Sequence, residues 1–301
     1  MIDRQRSAEA DDRAGSTRRR LLGAGAATLA LSACTPFQAF NAVNPDDAGS
    51  VLVETAAFGP DPRHRLDVYA PVPRPAGPAL PVVVFFYGGA WDNGSRGEYA
   101  FVGRALAAKG FVTVLPDYRL YPQVRFPGFL EDGALATRWV ADNVARHGGD
   151  PKRIVLAGHS AGAYNAAMLA LDTRFLRHAG VDPGAIRALA GLSGPYDFLP
   201  LDDDSAIRVF GQERDLARTQ PVNFARRLPA FLATGEGDSR VRPRNTAALA
   251  ARLRATGASV KERVYPGLDH ADTLLALSVL FRDKAPVLAE MTAFLQVATG
   301  R

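Results

Sequence analysis

The sequence predicts an α/β fold, with a mostly parallel central sheet of about eight strands and helices on both faces. Three observations carry that expectation. Short apolar runs rich in β-branched and aromatic residues alternate with longer stretches of helical period along most of the chain. One run, "PVVVFFYGG" at 81–89, is apolar without interruption, as a strand buried on both faces requires. The first two runs, "VLVETAAF" (51–58) and "HRLDVYAP" (64–71), are separated only by "GPDPR" and read as an antiparallel hairpin.

Taken in order, the Pro/Gly stretch 73–80 is a loop before the strand at 81–89, and a helix follows near 98–109, ended by Gly110. The strand "FVTVLPDYR" (111–119) leads to a helix at 128–148, with Leu130, Ala134, Leu135, Trp139 and Val140 at helical spacing. "RIVLAGHS" (153–160) is a strand and "AGAYNAAMLALD" (161–172) a helix. "IRALAGLSG" (186–194) is the next strand. After an irregular stretch come a strand at 229–237, a helix at 242–257, a strand at 259–267 and a closing helix at 285–298. With no internal repeat and no second core, residues 51–301 form one domain. Hydrophobic residues make up 47% of the 301 and charged residues 22%, enough apolar surface for a substantial core.

The N-terminus reads as an address rather than as fold. Arg18, Arg19 and Arg20 precede an apolar run of 13 residues, Leu21 to Ala33, which is the length of a signal segment and too short to span a membrane. "TRRRLL" resembles a twin-arginine export signal, and "LSAC" (31–34) resembles a bacterial lipobox whose Cys34 would be lipidated. Cys34 is the one cysteine, so no intrachain disulfide and no cysteine-based zinc site can form. Residues 34–50 are expected to be a tether. The formal charge of +5 falls to +3 without residues 1–33, which carry six arginines and four acids. No basic cluster outside the N-terminus is interleaved with aromatics, which speaks against nucleic acid as a partner. Through the lipid, the expected contact is a membrane; oligomeric state is not legible.

"VLAGHSAGAYN" (155–165) places Ser160 between Gly158 and Gly162, where a buried strand meets a helix. Such a turn is a nucleophile elbow, tight enough to need small residues around an exposed serine. The acid and then the histidine of a triad follow the serine in this arrangement. Of the five histidines, His64, His147 and His159 precede Ser160, and His178 follows it by only 18 residues. That leaves His270, in "YPGLDHAD" just after the last strand. Asp238, in "GEGDSRV", follows a strand end and is preferred as the acid over Glu236; Asp269 is too close to His270 in sequence to orient it. The His159 ring is expected to point away from the serine. Backbone amides must also stabilise the negative charge of an acyl-transfer intermediate. Ala161 supplies one, and the glycine-rich loop 86–94 after the third strand supplies the other. No metal-ligand spacing such as H-E-x-x-H occurs, and no cofactor is implied.

These residues resemble the α/β-hydrolase superfamily, in particular its carboxylesterase/lipase branch related to hormone-sensitive lipase. "YGGAW" is similar to that branch's H-G-G-G/A-W loop, "DYRLYP" (117–122) to its D-Y-R-L-A-P, "GHSAG" to its G-x-S-A-G and "GEGDSRV" to its G-x-x-D-x-x-V. The resemblance spans roughly residues 50–298. It implies Ser160 as nucleophile, His270 as general base and then acid, Asp238 as the group that orients the imidazole, and Gly89, Ala90 and Ala161 as oxyanion donors. Tyr87 stands where the family usually has a histidine that shapes the loop, and Thr234 where a histidine often precedes the glycine of the acid motif.

Residues 195–228 form the sizeable insertion, a small cap over the site. Its Asp202–Asp204 run is expected to start a helix rather than bind a metal. A short cap suits small or exposed acyl groups. The implied function is a lipid-anchored serine carboxylesterase with a small-molecule ester as substrate; the alternatives are an arylformamidase-like amide hydrolase, a polysaccharide acetyl or feruloyl esterase, and an inactive surface-binding protein.

Overall fold

The computed structural model describes residues 36–300. The segment read as an export signal and Cys34 lie outside the described residues. What is described divides into two units, one ending at Val43 and one beginning at Asn44. The first holds helix α1 (Pro36–Val43), within the stretch 34–50 expected to be a tether. Proline is well suited to the first turn of a helix, because the amide it lacks has no partner there. The densest run of turn-forming residues in the expected tether, Asn44 to Ser50, follows the helix.

The second unit is built on one eight-stranded sheet. Strands β1 (Ser50–Ala57) and β2 (Arg65–Pro71) pair antiparallel as the expected hairpin. β2 is in turn antiparallel to β4 (Val112–Pro116). From β4 onward the order β4-β3-β5-β6-β7-β8 is parallel, comprising β3 (Leu80–Phe86), β5 (Gly149–His159), β6 (Ile186–Leu192), β7 (Ala230–Gly235) and β8 (Val260–Tyr265). Every residue of β3, β4, β6 and β7 is buried except Arg187, as strands covered on both faces demand.

The covering helices are α2 (Ala100–Ala108), α3 (Gly128–Asn143), α4 (Ala161–Leu171), α5 (Arg174–His178), α6 (Asp204–Phe210), α7 (Arg244–Ala255), α8 (Asp272–Leu275) and α9 (Val287–Ala298). α3 ends five residues earlier than its pattern suggested. Val144–His147 tighten into a 3-10 turn and Gly148 takes φ 86°, a left-handed stop. Its buried stripe is Leu130, Ala134, Thr137 and Val140, while Leu135 turns to solvent. α5 and α8, one turn or little more, carried too few residues to show a period.

The sheet order positions the site. After β3 the chain moves outward through α2 to β4, then returns across β3 to β5 and proceeds through α4 to β6. The loops after β3 and β5 therefore leave in opposite directions, and a crevice opens at the carboxyl ends of those two neighbours.

Candidate active site

β5 delivers Ser160 into that crevice. The serine has φ 54° and ψ −125°, a conformation an L-residue adopts at a cost of about 1–3 kcal/mol. What permits the turn is the pair of flanking glycines. A Cβ on Gly162 would lie 2.1 Å from the Phe86 carbonyl oxygen, and one on Gly158 would lie 2.4 Å from the Gly162 carbonyl carbon. Those obstacles are backbone, which cannot give way. α4 begins at the next residue, and all eleven of its residues are buried.

Three chain segments far apart in sequence meet at this serine. His270 Nε2 lies 2.9 Å from Ser160 Oγ, and its Nδ1 lies 2.9 and 3.1 Å from the two Asp238 oxygens. The carboxylate can only accept, so Nδ1 carries the proton and Nε2 presents a lone pair to the serine hydroxyl. Asp238 also accepts from the Val241 amide at 2.8 Å. Burial pushes the Asp238 carboxyl up, but hydrogen bonds from His270 and Val241 outweigh it and hold the group below its ordinary range. The rival acids take other places. Glu236 is exposed, and Asp269 accepts the Ala271 and Asp272 amides at the start of α8.

His159, beside the serine in sequence, does more than pack. Its Nε2 lies 2.9 Å from the His270 carbonyl oxygen, which makes Nε2–H the donor. Burial, reinforced by the neighbouring His270, lowers its pKa to about 3, so the ring is neutral.

The loop after β3 forms the other wall. Ala90 and Trp91 have φ of 50° and 61°, and the Gly89 carbonyl accepts the Asp92 and Asn93 amides at 3.0 and 3.1 Å. Among the described residues, the amides of Gly89, Ala90 and Ala161 donate to no protein acceptor. Tyr87, where the resemblance led one to expect histidine, has a loop-shaping role of its own. Arg63, from the β1–β2 turn, donates to Tyr87 Oη at 2.7 Å, to the Gly94 carbonyl at 2.9 Å and to the Tyr118 carbonyl at 2.9 Å. Tyr118 Oη donates to the Tyr87 carbonyl at 2.8 Å. The rest of the "DYR" segment is equally engaged: Asp117 accepts from Arg96, and Arg119 grips the fully buried Asp132, which also meets His64 at 3.0 Å. None of these partners was legible in sequence, because each lies on another element, at least 13 residues from the group it holds.

The insertion 195–228 lies between β6 and β7. Asp203 caps α6 by accepting the Ala206 amide at 3.0 Å, which is the helix start expected of the acidic run. The segment is tied down by Tyr164 Oη to the Thr219 carbonyl and by Asn245 Oδ1, which accepts the Tyr196 and Asp197 amides. Phe210 of α6 packs edge-on against Trp91, with ring centroids 4.9 Å apart.

The chain is similar to proteins described as esterases. A probable isoprenylcysteine alpha-carbonyl methylesterase of rice (Oryza sativa subsp. japonica) is 31% identical over 75% of this chain and 58% of its own length. Esterase LipC of Mycobacterium tuberculosis is 33% identical over 72% and 59%. The chain thus spans little more than half the length of these relatives. The solved structure of esterase B from Lactobacillus rhamnosis, 20% identical, superimposes with a TM-score of 0.76 over 97% of both chains and shows the α/β-hydrolase fold. A family model described as BD-FAE matches residues 66–253, which include the serine elbow, the loop after β3 and Asp238. By that match the chain belongs to the BD-FAE family, on an α/β-hydrolase fold.

Proposed function

We propose that this protein is a serine carboxylesterase, with Ser160 as nucleophile, His270 as general base and acid, and Asp238 as the group that orients and stabilises the imidazolium. The observation that carries the reading is one imidazole, 2.9 Å from both a strained serine hydroxyl and a buried carboxylate. Nε2 accepts the Oγ proton as the serine attacks the ester carbonyl. The amides of Gly89, Ala90 and Ala161 donate to the oxyanion, and the imidazolium returns the proton to the leaving alkoxide. Water then repeats the sequence on the acyl-enzyme and frees the acid. The relatives named above are esterases, and esters are the substrate class this supports.

Within esters, the short insertion over the site favours small or exposed acyl groups. Export and lipid anchoring through Cys34 belong to the same proposal, from the sequence alone.

The test is hydrolysis of p-nitrophenyl acetate and butyrate by the parent and by Ser160→Ala. The parent is expected to turn over both, and the variant to lose at least ~10³-fold in kcat. Faster turnover of an N-formyl arylamine than of either ester would move the assignment to amide hydrolysis. A folded parent with no activity on any of them would leave a binding protein.

A further inference from the structure

Asn165 is wholly buried on α4, a helix otherwise lined with alanine, leucine, methionine and tyrosine. A buried amide costs free energy unless bonded, and an apolar residue would fill the place as well. Its Oδ1 accepts from Trp91 Nε1 at 3.1 Å, and its Nδ2 has no partner among the described residues. Stability alone therefore gives a weak reason for an asparagine here. The position gives a better one. Asn165 is four residues beyond Ala161, on the same face of the helix one turn down. Trp91 follows Ala90 directly in the loop after β3. The bond thus joins the helix that carries one proposed oxyanion donor to the loop that carries the other two.

That loop needs holding. Two consecutive non-glycine residues at positive φ persist only where their surroundings over-determine them. The Trp91 carbonyl accepts the Tyr121 amide at 2.8 Å, and its ring meets Tyr164 and Phe210 edge-on at 5.3 and 4.9 Å. Ring contacts leave the indole free to slide in its plane, whereas the Asn165 bond fixes it along one direction.

We infer that Asn165, acting through Trp91 Nε1–H, is a positioning residue that sets the distance between the two halves of the oxyanion hole. The inference rests on the esterase reading above and deepens it. Its effect belongs to the transition state, since the hole is complementary to the oxyanion rather than to the ground-state carbonyl.

The experiment compares Trp91→Phe, Asn165→Leu and the double variant with the parent on p-nitrophenyl acetate, with Ser160→Ala alongside. Each single change is expected to lower kcat by roughly 10–100-fold, below the loss of a whole donor, with KM within about twofold. Affinity for a boronic acid, whose serine adduct is tetrahedral, should fall in the same proportion. The double variant should be no worse than the poorer single, because both changes cut one bond. Losses that multiply, or a kcat near the parent's, overturn the inference. So does a loss confined to melting temperature. Should Asn165→Leu fail to fold, Trp91→Phe decides alone, because it keeps an aromatic ring against Tyr164 and Phe210. Full activity in Ser160→Ala would instead overturn the esterase reading itself.

Discussion

Asp238 and His159 are both buried within a few ångströms of His270, yet they reach opposite charge states. Asp238 collects enough donors to stay ionised despite its burial. His159 has one acceptor, the His270 carbonyl, and a desolvated ring, so it stays neutral. The folded His159 pKa is about 3, whereas an unfolded histidine titrates near ~6.5. Between those values the unfolded chain takes up a proton that the native state refuses, so this residue's share of stability is full above pH 6.5 and drains as pH falls toward 3. His159→Gln, which keeps an N–H donor and cannot titrate, should remove about 2 kcal/mol of the stability difference between pH 7 and pH 5. Urea unfolding of parent and variant at both pH values measures it; equal slopes in the two proteins would show that His159 is protonated in the fold. The effect of Asp238 is kinetic. Asp238→Asn loses the charge that stabilises the imidazolium and admits the wrong tautomer, and kcat for p-nitrophenyl acetate at pH 7 should drop by roughly 10³–10⁴-fold. A loss under tenfold would mean that another carboxylate does the work.

At the scale of elements, the helix-loop-strand frame around Tyr87 is held by ions rather than by apolar packing alone. Asp132 of α3 is fully buried and accepts from Arg119, with His64 Nε2 3.0 Å away. Removing the buried carboxylate strands the Arg119 guanidinium, so Asp132→Ala should cost about 3–5 kcal/mol in denaturant unfolding. Tyr87→Phe is milder. It takes one acceptor from Arg63, whose same nitrogen still reaches the Gly94 carbonyl. A loss of about 1–2 kcal/mol and a melting point lower by roughly 2–6 °C are expected. The strands that carry this frame were legible because a strand buried on both faces is apolar along its length, as β3 is. Ser160 and His270 were legible too, one by its flanking glycines and the other by chain order. The supports were not. Arg63 in a turn, Asn165 in an apolar helix and His159 beside the serine look ordinary in sequence, and each acquires its meaning from a hydrogen-bond partner on a distant segment. The α1 helix was hidden for a simpler reason: eight residues hold too few turns to register a period, and turn formers crowd its far end.

For the molecule as a whole, the second unit closes on its own first residues. Asp47 accepts two bonds from Arg282 at 2.8 and 2.9 Å, and Asn44 Oδ1 accepts the Leu280 amide at 3.4 Å. The second unit therefore begins at Asn44, seven residues before the first strand residue expected from sequence, and Cys34 precedes it by ten residues. No described helix is long and apolar enough to cross a membrane. In the proposal above, a lipid on Cys34 holds the protein at a membrane. Each buried methylene contributes ~0.8 kcal/mol, and a single acyl chain gives only reversible attachment, so stable anchoring calls for more than one chain on that residue. Expressed in a bacterium with the full leader, the parent should sediment with membranes and partition into detergent. Cys34→Ala should move to the soluble fraction with kcat and KM on p-nitrophenyl acetate unchanged, because the change lies outside the catalytic unit. Identical partition of the two would refute the anchor and leave the basic, apolar N-terminus as an ordinary leader. Loss of activity together with loss of sedimentation would show instead that the lipid end takes part in folding or catalysis.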